Sequence, residues 1–188
     1  MLKLILIKHA SPQIEVGVST HEWKLSAAGR EKAKALAELL RPHAPAVVFT
    51  SREPKAVETA QIVAAALDVA HQTAPDLHEH DRSNVPQMPT REFISSMALF
   101  FKQPTKLVLG RETAEQAQRR VTEAIDAIQS ENRARAVAIV THGTVLALYL
   151  ASLLKSDPFD LWRRLGLPSF VVVDSETMRA VETVERIS

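Results

Sequence analysis

Three apolar runs in this chain stop abruptly at residues that can do chemistry. Leu2-Lys3-Leu4-Ile5-Leu6-Ile7 meets Lys8-His9-Ala10-Ser11-Pro12, Ala46 to Thr50 meets Ser51-Arg52-Glu53-Pro54-Lys55, and Ala136 to Val140 meets Thr141-His142-Gly143-Thr144. A histidine where a buried strand becomes a loop can be a nucleophile, a base or a ligand, and a single one is more often an ordinary loop or core residue. Two at equivalent strand ends form a stronger pattern, because strand ends on one side of an open parallel sheet line a common crevice where such folds bind ligands. A further segment, Leu77-His78-Glu79-His80-Asp81-Arg82, supplies several titratable groups. Extended, it would place His78 and His80 on one face beside Asp81, a possible metal site; a solvated histidine-rich loop explains the same residues without a metal.

The elements that must position these groups follow from the hydrophobic pattern. The runs at 2–7, 46–50 and 136–140 are short and β-branched or leucine-rich, as expected of strands buried on both faces of a parallel sheet. Ser26 can cap a helix through Leu40 with Ala33, Leu36, Ala37 and Leu40 on one stripe, and Pro42 and Pro45 close it. Pro54 suits the first turn of a helix reaching about Leu67. Thr113 and Gln116 are spaced as a capping box ahead of a helical pattern through Ala117, Val121, Ala124, Ile125 and Ile128. After His142 the run VLALYLASLL is helical, and FVVVDSETMRAVETV reads as two antiparallel strands around Asp174 to Thr177. Residues 70 to 112 carry prolines and the stretch FISSMALFF without clean caps, and we treat them as an insertion, with a lid or the hydrophobic face of a helix at about 80–110.

The totals exclude much else. The 188 residues suit one domain, 1–188, and no interdomain linker, repeat or low-complexity tract interrupts them. With 23 basic and 22 acidic side chains, the chain has no strong field to attract nucleic acid or an anionic membrane. There is no cysteine, which removes disulfides, thiolate metal sites and cysteine nucleophiles. The first apolar run is far shorter than a membrane span and is not followed by a small-residue cleavage site, so a cytoplasmic location is expected.

Read in order, six segments form a series: Lys8-His9-Ala10; Leu25-Ser26-Ala27-Ala28-Gly29; Ser51 with Lys55-Ala56 and Thr59-Ala60; Leu77-His78-Glu79; Gly110-Arg111-Glu112-Thr113 with Arg120-Val121; and Val140-Thr141-His142-Gly143. The series resembles the motifs of the histidine phosphatase superfamily, the phosphoglycerate mutase-like proteins, over the whole chain. The resemblance implies an α/β three-layer sandwich, a mostly parallel central sheet flanked by helices. It implies hydrolysis of a phosphomonoester, on a small molecule or a phosphorylated protein, through a phosphohistidine on His9, without metal or organic cofactor. His142 would help hold the transferring phosphoryl group, and Glu79 would be the proton donor and later the base, with Asp81 an alternative by spacing. Lys8 and Lys55 would bind phosphate, joined by the N–H of Thr144 and by Arg82.

The departures from the family pattern are specific. Both matching arginine positions are lysine, Lys8 and Lys55, which keep the charge and lose the planar fork that grips two oxygens at once. Ala10 adds a methyl where the family has glycine, which matters most if that turn needs a positive φ. Arg52 and Arg82 lie in the same loops and are possible replacement forks or solvated surface residues. These departures motivate an alternative, a degenerate member that binds a phosphate ligand or a protein with little turnover. A mutase is less favoured, because the mutases resemble longer chains with added segments around the pocket.

Overall fold

The computed structural model describes residues 2–187. Strand β1 (Lys3–Lys8) buries Leu4, Ile5, Leu6 and Ile7, as a central strand covered on both faces must. It pairs in parallel with β4 (Val137–Thr141) and antiparallel with β5 (Ser169–Asp174). Beyond β4 lie β2 (Val47–Thr50) and then β3 (Ala70–Thr73), both parallel; β6 (Arg179–Val184) closes the other edge as the antiparallel partner of β5. The sheet order is β3-β2-β4-β1-β5-β6. The mostly parallel sheet and terminal hairpin agree with the sequence reading, whereas β3 had no apolar signal. All four of its residues, Ala70-His71-Gln72-Thr73, are exposed, and a short polar edge of this kind discourages pairing with another chain.

Alternation along the strands separates two cores. Leu4, Leu6, Val47, Phe49, Val137, Ile139, Val171 and Val173 face one side, where α3 (Thr90–Lys102), α4 (Ala114–Glu131), α5 (Gly143–Leu154) and α6 (Pro158–Arg164) cover them. Ile5, Ile7, Val48, Ala138, Val140, Phe170 and Val172 face the other, under α1 (Ala27–Leu40) and α2 (Pro54–Leu67). The caps act as the sequence implies. Ser26 Oγ accepts the Gly29 N–H at 3.0 Å, and Thr113 and Gln116 form a reciprocal capping box. The helix α6 went unread although its start signal is present: Asp157 accepts the Asp160 N–H at 2.9 Å and Pro158 follows the cap.

The 80–110 segment contains α3, whose Met97, Phe100 and Phe101 are buried in the larger core while Phe93 packs at its edge. Among the described residues no helix is long and apolar enough to cross a membrane.

The site follows from one topological feature. The neighbours β1 and β4 run in parallel and in register, Lys8 beside Thr141, yet the chain leaves β1 for α1 on one face and β4 for α5 on the opposite face. Where successive connections diverge in this way, a crevice opens at the carboxyl ends of the strands. His9 and His142 are the first residues past those ends.

Candidate active site

The His9 N–H continues the ladder, donating to the Thr141 carbonyl at 3.1 Å, so its backbone is held to the end of β4. Its Nδ1 lies 2.7 Å from the Ala10 carbonyl oxygen. A carbonyl only accepts, so Nδ1 carries the proton and Nε2 keeps a free lone pair; the tautomer is assigned from this bond. Burial pushes the His9 pKa well below the ordinary histidine value, and His142, Lys55 and Lys8 add to the effect. The ring is therefore neutral at neutral pH, the form in which imidazole is a nucleophile.

His142, fully buried, stands across the crevice with ring centroids 5.1 Å apart and planes at 62°. Burial lowers its pKa to about 4, against the raising effect of Glu53 and Glu79. Its Nε2 is 3.4 Å from Glu53 Oε1, a contact between a neutral ring and a carboxylate rather than an ion pair. Neither ring nitrogen has a hydrogen-bond partner. A buried polar group left without one carries a free-energy penalty, and such groups gather where a ligand is to be met.

Lys8 turns its side chain over the start of α5, where its Nζ donates to the Leu165 carbonyl at 2.6 Å. A Cβ on Gly143 would sit 2.9 Å from Lys8 Cε, so a side chain at that position would make the end of the lysine shift. Burial lowers its pKa to about 8, partly offset by Glu79. Ala10 has no positive φ, and its methyl packs with Leu25 and Ala33, so the glycine of the family pattern is not required by backbone conformation here. The Ala10 N–H donates to Thr59 Oγ1 at 3.0 Å, and that hydroxyl donates to the Lys55 carbonyl at 2.7 Å, tying the first loop to α2.

Glu79 reaches the site because its loop is clamped. Thr141 Oγ1 donates to the Leu77 carbonyl at 2.7 Å, and Arg120 Nη1 donates to the carbonyls of Asp76 and His78. Arg120 is itself held by Glu112 at 2.6 Å, and Glu112 also accepts the Asp81 N–H. The Glu79 carboxylate accepts the Thr144 N–H at 3.1 Å and the His80 N–H at 2.8 Å. Burial acts to raise its pKa, but the Arg82 charge, His142 and the two N–H donors outweigh it and hold the group at about 2. The carboxylate thus sits as an anion at the amino end of α5, where the helix dipole favours negative charge. Asp81 faces its own turn instead, accepting from Ser83 N and Ser83 Oγ. His80 stacks 4.3 Å from Phe100, with Nε2 3.1 Å from the Glu112 carbonyl. Among the described residues, no group of three or more histidines and carboxylates gathers to hold a metal ion.

Of the two arginines, Arg52 is exposed, whereas Arg82 Nη1 lies 3.3 Å from Thr144 Oγ1 with its guanidinium 5.2 Å over the Phe93 ring. Lys55 is buried beside a residue that the sequence reading did not single out. Its Nζ is 2.6 Å from Glu53 Oε2 and 2.5 Å from the Thr20 carbonyl. The other Glu53 oxygen accepts the Glu79 N–H at 2.8 Å and lies 3.2 Å from His21 Nδ1. Burial would raise this carboxyl; His142, His21 and Lys55 outweigh it and hold it far below the usual range.

A family model described as the histidine phosphatase superfamily, branch 1, matches residues 4–186. The chain belongs to that superfamily. Among curated proteins, none matches the sequence. Solved structures similar to this histidine phosphatase superfamily member include the alpha-ribazole phosphatase of Shigella flexneri, with 22% identity, coverage of 98% of this chain and 96% of that one, and a TM-score of 0.76. A mycobacterial glucosyl-3-phosphoglycerate phosphatase covers 100% and 97% at 18% identity and a TM-score of 0.75. A phosphoserine phosphatase of Entamoeba histolytica covers 98% and 97% at 17% identity and a TM-score of 0.77. At these identities the likeness is one of fold.

Within this superfamily member the structure brings together His9, His142, Glu79, Thr144 and Lys55, with Lys8 and Arg82 at the margins. Glu53 and His21 escaped the sequence reading for different reasons. Glu53 was legible as a charge between Ser51 and Lys55 at the end of a buried strand. His21 lies in a polar loop more than ten positions beyond β1, and only the tertiary contact with Glu53 marks it.

Proposed function

We propose that this chain is a phosphohydrolase that cleaves a phosphomonoester, borne by a small molecule or a phosphorylated protein, through a phosphohistidine on His9. The observation that carries this reading is the His9 ring: buried, neutral, Nδ1 bound to the Ala10 carbonyl, and Nε2 left with its lone pair. In the first step that lone pair attacks phosphorus as the ester P–O bond breaks, and the positive charge gained by the ring is stabilised at Nδ1–H by the Ala10 carbonyl. The leaving oxygen takes a proton from Glu79. The carboxyl is ionised on its own and takes up a proton from solvent as the phosphoryl dianion binds beside it and favours the protonated form. In the second step water attacks phosphorus, Glu79 takes its proton, the P–N bond breaks, and inorganic phosphate leaves with His9 neutral again. Lys8, Lys55 and Arg82 supply cationic charge near the equatorial oxygens, His142 and the Thr144 N–H supply donors, and no metal takes part. The names of the similar structures, phosphatases of alpha-ribazole, glucosyl-3-phosphoglycerate and phosphoserine, support the phosphomonoester class without selecting a substrate.

A second reading, a phosphate-binding module with little turnover, is favoured by one observation. Both lysines already have partners, Lys8 on the Leu165 carbonyl and Lys55 on Glu53. The test for both is to incubate the protein with radiolabelled phosphomonoesters, aryl phosphate, sugar phosphate and phosphoserine among them, quench in base and measure acid-labile label. Hydrolysis with label lost in His9→Ala supports the first reading. No label and no turnover across the panel overturns it, and phosphate binding without turnover leaves the second.

A further inference from the structure

We propose that Glu53 sets the phosphate affinity of this site: it is a built-in carboxylate that engages Lys55 and lies against His142, and an incoming phosphoryl group must displace it. The inference rests on the reading of the crevice between His9 and His142 as a phosphate pocket, and concerns equilibrium binding rather than turnover.

The geometry is that of an internal anion. One Glu53 oxygen is 2.6 Å from Lys55 Nζ, and the other accepts the Glu79 N–H at 2.8 Å while lying 3.4 Å from His142 Nε2 and 3.2 Å from His21 Nδ1. A single carboxylate thus contacts a cation, a backbone donor and two imidazoles, and two of these, Lys55 and His142, are groups the phosphate would use. Glu53 and Lys55 side chains are only 7% and 6% exposed, so the pair is screened little by solvent. Placing a dianion beside Lys55 while Glu53 remains would set like charges a few ångströms apart in a poorly solvated pocket, which is strongly unfavourable. Protonation does not relieve this, because Lys55 Nζ pairs directly with the ionised carboxylate at 2.6 Å, whereas the Glu79 carboxylate is hydrogen-bonded only by backbone N–H groups. The remaining route is movement. Swinging Glu53 out also releases His21 and leaves Lys55 only the Thr20 carbonyl, so phosphate affinity is linked to the 3-10 turn Thr20–Glu22.

The experiment is calorimetric titration of inorganic phosphate into wild type, Glu53→Gln and Glu53→Asp at pH 7.5. Glutamine keeps the size and an acceptor for the Glu79 N–H while removing the charge, and aspartate keeps the charge. Glu53→Gln should bind phosphate at least tenfold tighter than wild type, and Glu53→Asp should stay within threefold of it. A Gln variant that binds no tighter, an Asp variant that tightens as much as Gln, or no phosphate binding by any of the three overturns the proposal. A crystal structure of the wild type with bound phosphate checks it even where Glu53→Gln does not fold. The Glu53 carboxylate should have left Lys55, and finding the two still paired beside the anion refutes the inference. Tightening without hydrolysis would sink the phosphohydrolase reading and leave this one standing.

Discussion

Replacing His142 by asparagine should flatten the pH dependence of stability between about pH 7 and 5. In the folded protein burial holds the ring at a pKa of about 4, whereas the unfolded chain has the ordinary value of 6.5. The unfolded state therefore binds more protons throughout the window between those values. The stabilisation is complete above about pH 6.5 and is lost as pH falls toward 4. Two and a half pH units at about 1.4 kcal/mol each make the whole loss roughly 3.5 kcal/mol, of which about 2 kcal/mol falls between pH 7 and 5. That window excludes Glu79, whose lowered pKa takes effect only as pH drops below the ordinary carboxylate range toward about 2. His9, also depressed by burial, keeps part of the slope in the variant. Urea unfolding followed by the fluorescence of the two tryptophans measures the effect. The wild type should lose about 2 kcal/mol more than His142→Asn on going from pH 7 to 5, a difference of about 1 M in midpoint. Equal slopes for the two proteins would show that His142 is protonated in the folded state or not buried, and the account of a neutral pair of rings would fall with it.

Other perturbations test the supports of the site. Gly29→Ala places a methyl against the Ser11 carbonyl, a backbone atom that cannot step aside, and should cost about 3 kcal/mol in urea unfolding; a cost under about 1 kcal/mol contradicts the packing of α1 on the first loop. Arg120→Met leaves Glu112 unpaired and the Asp76 and His78 carbonyls without their donor, and should destabilise by about 3 kcal/mol, with part of the loss recovered by adding Glu112→Leu. A stability equal to wild type would mean that the clamp does not hold the Glu79 loop. Lys55→Arg alone should not improve phosphate binding in calorimetry, because guanidinium pairs with Glu53 through two oxygens; joined with Glu53→Leu it should, and improvement by the single change refutes this picture.

The parallel sheet was legible because β1, β2 and β4 are buried on both faces and so consist of unbroken apolar runs, which few other structures explain. The caps at Ser26 and Thr113 were legible because capping is a contact between neighbours in sequence. The strand β3 was not, since its residues are all exposed and its place comes from pairing with β2. The same distinction divides the site. His9 and His142 were recognised from where each stands relative to its own strand, a local property. The pairing of Lys55 with Glu53 is also close in sequence, yet nothing in a one-dimensional pattern says that both side chains turn inward.

The sequence by itself determined the superfamily, the central strands and the two histidines at their ends, because strand burial and motif order are written along the chain. Only the tertiary structure decided the protonated nitrogen of His9, the anchoring of Glu79 on α5 and the engagement of Lys55 by Glu53. Charge and hydrogen bonding depend on distance and on access to water, and those are set where segments far apart in sequence meet at the mouth of one crevice.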